Sequence, residues 1–294
     1  MEKTIILLHK NFNKEIIDSI IKNGNMKTIG LHFNPYESNY KDFFSFIEQN
    51  RTIINEIQNN SINVEYYLHV VSYLVPRELI DTHKEFFRMN ESGLRVNDFN
   101  ICASSKEALK MIEKNSFTLA QFLKQKSNIY HLYVDDNLGK SVICNCDKCK
   151  KYNEFEQQKI IYDSILKGLK KYDENAKISF LVYGNSDLNI ELSDDYFIEY
   201  APFIKNHYLP IKHENKEKSR TEFLNLRKRY RDIRVLEYFL SYDFKRYLED
   251  DLKVKEDLLF YKDNGIEYLS TFVVVKDCGT SDIIKGIKHF LDMG

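Results

Sequence analysis

The feature that most constrains this chain is an alternation, met eight times, between a short β-branched or aromatic run and a longer stretch of helical period. Thr4–His9, Thr28–Phe33, Val64–Val70, Ile129–Val134, Ile178–Tyr183, Tyr196–Tyr200, Arg234–Phe239 and Ile266–Phe272 read as strands. Between them, Asn13–Lys22 sets Ile16, Ile17, Ile20 and Ile21 on one helical face, and Tyr40–Asn59 does the same with Phe43, Phe44, Ile47, Ile54 and Ile57. Lys106–Lys124, Glu154–Tyr172, Lys216–Tyr230, Val254–Asn264 and Ser281–Leu291 continue the pattern, with a shorter helix near Pro76–Phe87 and only a weak segment between the fifth and sixth strands. Asn264-Gly265 is a helix stop. Strands separated by helices are joined by crossovers and so run parallel. Eight such units predict a closed (β/α)8 barrel of the TIM type, α/β in class, as one domain over residues 1–294. The rival is an open doubly wound sheet, but no Gly-x-Gly-x-x-Gly follows any strand to supply its phosphate-binding turn.

A chain of 294 residues, 43% of them hydrophobic, can build such a core without a disulfide or metal. Its 43 basic and 44 acidic residues leave a net charge of -1, which argues against nucleic acid or an anionic membrane surface as partner. The apolar run Ile5–Leu8 is too short for a signal peptide, and no later run approaches a membrane span. The expectation is a cytoplasmic protein whose five cysteines are thiols or metal ligands rather than disulfides.

In a barrel of this kind the working residues stand at the carboxyl ends of the strands. That rule selects His9, His32 with Asn34, His69, Asp135 with Asp136, Tyr183, Tyr200, Glu237 with Tyr238, and Thr271, although polar residues there can also simply cap the barrel. Asp135 and Asp136 end the fourth strand, and Glu237 lies inside an otherwise apolar seventh strand. Burying that carboxylate is costly unless it is paired or used. Acids after strands four and seven suit glycoside cleavage, where one carboxyl donates a proton to the leaving oxygen and another attacks or stabilises positive charge. The alternative is that the aspartates cap the following loop and Glu237 pairs with a barrel lysine or arginine.

Cys144-Asn-Cys146-Asp-Lys-Cys149 is the sharpest local signal, because three clustered thiols match the way a turn wraps a tetrahedral zinc. Cys102, after strand three, is the nearest candidate for a fourth ligand, and Cys278, after strand eight, the weaker one. Four thiolates leave no open coordination position, so the Zn2+ would be structural. A redox thiol pair and free cysteines are the other readings. The basic run Arg227-Lys-Arg-Tyr-Arg231 reads as a solvated helix face. Aromatics around strands three and six could stack on sugar rings or pack the barrel wall, and there is no Trp to form a dedicated sugar platform.

Taken together, Leu74-Val-Pro-Arg-Glu-Leu-Ile-Asp-Thr-His-Lys-Glu-Phe-Phe87, Ile101-Cys102, Asp135-Asp136, the Cys-x-Cys-x-x-Cys at 144 to 149 and Ser179-Phe-Leu-Val-Tyr-Gly184 resemble a bacterial family known as domain of unknown function 4838. The likeness is clear over residues 66–210 and faint to 275. It implies a barrel related to family 20 hexosaminidases and family 67 α-glucuronidases, acting on a polysaccharide or glycoconjugate. Asp135-Asp136 is similar in place to the hexosaminidase acidic pair, although Asp-Asp stands where that pair is Asp-Glu. The expected function is therefore that of a glycoside hydrolase-like protein with Asp136 as proton donor, Asp135 orienting it or an acetamido group, and Glu237 as nucleophile or stabiliser. Asn34, His69, Tyr183 and Tyr238 would contact the sugar. A non-catalytic carbohydrate-binding or assembly protein on the same barrel is the alternative, and a zinc-dependent hydrolase a third.

Overall fold

In the computed structural model the eight expected strands form and close into a ring. They are β1 (Glu2–Leu8), β2 (Thr28–His32), β3 (Asn63–His69), β4 (Ile129–Tyr133), β5 (Lys177–Val182), β6 (Tyr196–Tyr200), β7 (Ile233–Leu240) and β8 (Tyr268–Val273). The structure describes residues 1–33, 40–137, 140–184, 188–213, 218–241, 247, 251–275 and 278–293. Strand order around the ring follows chain order, and β1 closes it by pairing in parallel with β8 (Ile5 opposite Thr271) and with β2 (Ile5 opposite Ile29). Closure leaves no free sheet edge, and Ile5, Ile6 and Leu7 are fully buried in consequence.

Packing groups the residues into two compact units, one of residues Met1–Tyr67, 181–186 and 198–294, the other of Leu68–Phe180 and 187–197. In the first, Gly30 of β2 is required by crowding: a β-carbon there would lie 2.7 Å from Ile6 and 2.8 Å from Tyr67. Helix α1 (Lys14–Asn23) buries Ile16, Ile17 and Ile20, as its period predicts. The single helix expected over Tyr40–Asn59 is two, α2 (Tyr40–Gln49) and α3 (Arg51–Asn59). They part at Asn50, whose φ of -102° and ψ of 9° leave the helical region while its side chain donates to Phe46 O at 2.9 Å. Helix α7 (Lys218–Arg229) carries the basic run. Lys228, Arg229 and Arg231 are exposed, whereas Arg227 turns back to donate to Asn264 O at 2.9 Å. Helix α8 (Leu252–Asp263) ends at the expected stop, where Gly265 has φ +75° and Ile266 N returns to Tyr261 O at 3.0 Å. Helix α9 (Thr280–Asp292) completes this unit.

In the second unit no helix spans Pro76–Phe87. A one-turn helix α4 (Val71–Leu74) is followed by 3-10 turns at Arg77–Asp81 and Lys84–Phe86. Residues Arg77–Asp81 bury no side chain, so the segment lacks the apolar stripe that would hold a longer helix. It continues into an arm tied by bridges Phe87–Ile101 and Met89–Arg95. Helices α5 (Lys106–Leu123) and α6 (Glu154–Lys170) pack where Gly168 meets Glu113 O. Helix α6 opens on a capping box, Asn153 accepting from Glu156 N and Glu156 from Asn153 N. Among the described residues no helix is long and apolar enough to cross a membrane.

Candidate active site and metal centre

The last residues of β3 and β4 hold the acidic turn. His69 has Nδ1 2.8 Å from Val134 O; a carbonyl can only accept, so Nδ1 carries the hydrogen and Nε2 points the other way. That nitrogen lies 3.8 Å from Asp136 Oδ2, an ion-pair distance, and both side chains are about nine-tenths buried. The ring of Tyr133 packs on His69 with centroids 5.2 Å apart.

Asp135, the neighbouring acid, is fully engaged. Its Oδ1 accepts from Val71 N at 3.1 Å, and its Oδ2 from Ser72 N at 3.1 Å and from Arg77 at 2.6 Å. Burial nonetheless holds this carboxyl above its usual range, the pull of Arg77, His69 and the two amides offsetting only part of the desolvation. The backbone of Asp135 is fixed as well, by the side chain of Asn100: Oδ1 accepts from Asp135 N at 2.9 Å and Nδ2 donates to Asp135 O at 2.6 Å. The two adjacent aspartates are thus differently placed. Asp135 is spent on holding the turn, and Asp136 faces an imidazole.

Glu237 occupies a different environment. It is fully buried and accepts from the ammonium of Lys205 and, at 2.5 Å, from the hydroxyl of Tyr261 on α8. Lys205 also reaches Asp257 of α8 at 3.3 Å, and Lys253 pairs with Asp257 at 2.8 Å. Two lysines and two carboxylates balance in charge between β7 and α8, with Lys205, Glu237 and Asp257 buried, Lys253 partly exposed, and both ammoniums over the ring of Phe239. Desolvation would raise the Glu237 carboxyl; Lys205, Lys253 and the Tyr261 hydroxyl outweigh it and hold it below the usual range. Burial acts against the Lys205 ammonium, and Glu237 and Asp257 overcome it, raising it above its usual value.

Tyr183 and Tyr238 are joined through Phe203, at centroid distances of 6.2 and 5.6 Å. Tyr238 stacks on Phe272 at 5.8 Å, Phe272 meets His32 at 5.0 Å, and His207 packs against Tyr238 at 5.5 Å. The result is an aromatic row at the carboxyl ends of β2, β5, β7 and β8. Asn34 lies outside the described residues.

The sulfurs of Cys102, Cys144, Cys146 and Cys149 all lie within 4.8 Å of one another, and all four residues are buried. Cys102 Sγ is 3.7 Å from those of Cys146 and Cys149. Cys278 stands apart from this set. The loop is wrapped by Gln157 of α6, which accepts from Cys144 N at 3.1 Å and donates to Cys144 O and Cys149 O at 3.2 Å. Polar hydrogens converge on the sulfurs, with Met89 N 3.2 Å from Cys144 Sγ and the Ser104 hydroxyl 3.1 Å from Cys149 Sγ. Hydrogen bonds from Cys144 and Cys149 pull Cys102 far below the usual thiol range, and the same bonds push Cys149 and Cys144 up. Four convergent, buried sulfurs fit a metal ion.

The sequence reading passed over Arg77, Asn100, Lys205 and Asp257. Arg77 lay in view beside Pro76, and Asn100 two residues before Cys102, but neither type at either spacing announces a carboxylate partner. Lys205 and Asp257 are distant in the chain from Glu237, and the signal for them was the buried Glu237 itself.

No family model and no curated protein sequence matches the chain. Among solved structures it is similar to a β-N-acetylhexosaminidase from Bacteroides fragilis, with a TM-score of 0.58 and 13% identity over 99% of this chain and 65% of that one. A cellulase–inhibitor complex aligns with a TM-score of 0.48 and 11% identity over 95% of this chain and 86% of that one. This chain thus spans about 65% of the hexosaminidase's length, and what the two share is the fold, a closed α/β barrel of the kind glycoside hydrolases use.

Proposed function

We propose that the protein acts on a carbohydrate, a polysaccharide or glycoconjugate, as a glycoside hydrolase-like enzyme with Asp136 as its proton donor. One observation carries the reading: at the carboxyl end of β4, Asp136 sits beside His69 while both carboxylate oxygens of its neighbour Asp135 accept from backbone amides and Arg77. Asp136 donates its proton to the glycosidic oxygen as the bond to the leaving group breaks, its carboxyl held beside the His69 ring. Asp135 orients the turn and does not react. The aromatic row through Tyr183, Phe203 and Tyr238 offers faces on which sugar rings can stack. The hexosaminidase likeness in fold supports the substrate class. Glu237, held by Lys205 and Tyr261, serves stability in this reading rather than attack.

The thiolate cluster holds Zn2+ in the same proposal. Zinc–sulfur bonds of about 2.3 Å place the corners of a tetrahedron about 3.8 Å apart, and Cys102 stands 3.7 Å from two of its partners. With four thiolates bound, the ion supplies rigidity and leaves no position for water, which sets this reading against a zinc-dependent hydrolase.

Aryl glycosides, N-acetylhexosaminides and glucuronides included, test the activity with wild type against Asp136→Asn. Turnover by wild type and a loss on the order of 100-fold in the variant is the expected result. Turnover that survives the substitution would sink Asp136 as the donor. The alternative, a carbohydrate-binding or assembly protein without catalysis, is favoured by the commitment of Glu237 to its ion pair. Saturable sugar binding with no turnover on any glycoside would decide for it.

A further inference from the structure

One side chain joins the acidic turn to the thiolate cluster. Asn100 is 2% exposed, and besides its two bonds to the backbone of Asp135 its Nδ2 donates to Val142 O at 3.0 Å. Two residues beyond each end of that last contact stand Cys102 and Cys144, whose sulfurs lie within 4.8 Å of each other. Two stretches of chain, 100–102 and 142–144, are therefore tied at one end by an amide and at the other by sulfur. Phe99, just before Asn100, has φ +41°, a region that non-glycine residues enter only when their surroundings impose it. Its carbonyl accepts from Arg77, the same guanidinium that holds Asp135. The turn carrying Asp136 is thus held from one side by Arg77 and from the other by Asn100, and Asn100 is anchored by the cluster.

We propose that an ion bound by Cys102, Cys144, Cys146 and Cys149 holds Asp136 in its working position through Asn100, a positioning residue, so that losing the ion disarms the acid while the barrel stays folded. This rests on the readings of the cluster as a zinc site and of Asp136 as the acid. When the ion leaves, the tie between Cys102 and Cys144 is lost, and the grip of Asn100 on Val142 and Asp135 together is weakened. Hydrogen bonds to Asp135 then open first, since they depend on that grip.

Amide hydrogen exchange tests this on the full chain, in three samples: zinc-loaded wild type, wild type after zinc extraction with a thiol-displacing mercurial and chelator, and zinc-loaded Asn100→Asp. The aspartate keeps the shape and the acceptor but loses both donors. Extraction should speed exchange at Asp135, Val71 and Ser72 about tenfold, the equivalent of one lost hydrogen bond of ~1.4 kcal/mol, while amides of β1 and α9 keep their protection. Asn100→Asp should bind zinc as wild type does, show the fast exchange already, and gain nothing further on extraction. Unchanged exchange after extraction, wild-type protection in Asn100→Asp, or a protein that binds no zinc would each overturn the proposal. If Asn100→Asp does not fold, the wild-type pair alone decides in the same way. None of these readouts uses turnover, so failure here and failure of Asp136 as donor register separately.

Discussion

Glu237 shows how far a single residue can be read before its neighbours are known. The cost of burying a carboxylate within an apolar strand marked it as either used or paired. Which of the two could not be settled from β7 alone, because its partners Lys205 and Tyr261 come from elsewhere in the chain. The geometry makes a prediction that separates the two roles. Removing one carboxylate from this buried cluster leaves the two ammoniums sharing Asp257 alone, at about 3–5 kcal/mol, so Glu237→Gln should lower the melting temperature by roughly 5–10 °C and leave any turnover at low temperature largely intact. A variant that melts like wild type but has lost turnover would return Glu237 to the reacting groups. The same pair sets a pH window. The Glu237 carboxyl is held below its reference of 4.5, so its contribution is present above that value and is lost as pH falls through the depressed folded value. The Lys205 ammonium is raised above 10.5, so its contribution is complete below that value and is lost as pH rises through the folded value. Denaturant titrations should show a plateau between these limits that Glu237→Gln lowers most, and a variant equally destabilised at pH 3 and pH 7 would contradict the assignment. Asp135 works with the opposite sign: as an acid held above 3.8, it is relieved of its burial cost, and the folded state gains, as pH falls through its folded value toward 3.8.

The elements were largely legible because hydrophobic period reports burial, and burial is what strands and helices share with sequence. All eight strands lie where the β-branched runs place them, with ends shifted by a residue or two. Two readings failed for local reasons that period cannot carry: the break at Asn50, and the 3-10 turns after Pro76 where no apolar stripe exists. The arm from Lys84 to Cys102 was illegible for a different reason. Its order comes from single bridges and from sulfur, and only its last residue, Cys102, was placed in advance, as the nearest fourth member of the cysteine cluster. Packing between elements supplies a test that runs against propensity. Alanine favours a helix interior over glycine by about 1 kcal/mol, so Gly168→Ala in α6 would stabilise an isolated helix. Here the new β-carbon would stand 2.2 Å from Glu113 O and 2.7 Å from Ser116 Cβ of α5, so the helices must part. The expected outcome is destabilisation of about 1–3 kcal/mol, read by chemical denaturation. Unchanged or raised stability would show that α5 and α6 do not approach as described.

At the scale of the whole chain, what sequence could supply was a count and an order: eight strands, each followed by a crossover, with no dinucleotide turn. Closure itself is a long-range fact, since it depends on residues 2–8 lying beside residues 268–273, and no local pattern contains it. Closure is what brings the carboxyl ends of strands remote in the chain to one rim. It also makes β1 more than a terminal strand. Its backbone is paired on both sides, with β8 and with β2, and Ile5, Ile6 and Leu7 are wholly buried. Deleting residues 1–12 would open the ring, expose two long apolar strand edges and remove a layer of the core. Such edges pair with one another, so the truncated chain should aggregate rather than remain a folded monomer. Light scattering and circular dichroism of the purified truncation check this. A soluble monomer with the melting temperature of the full chain would show that the ring does not depend on β1, and the barrel would have to be redrawn as an open sheet.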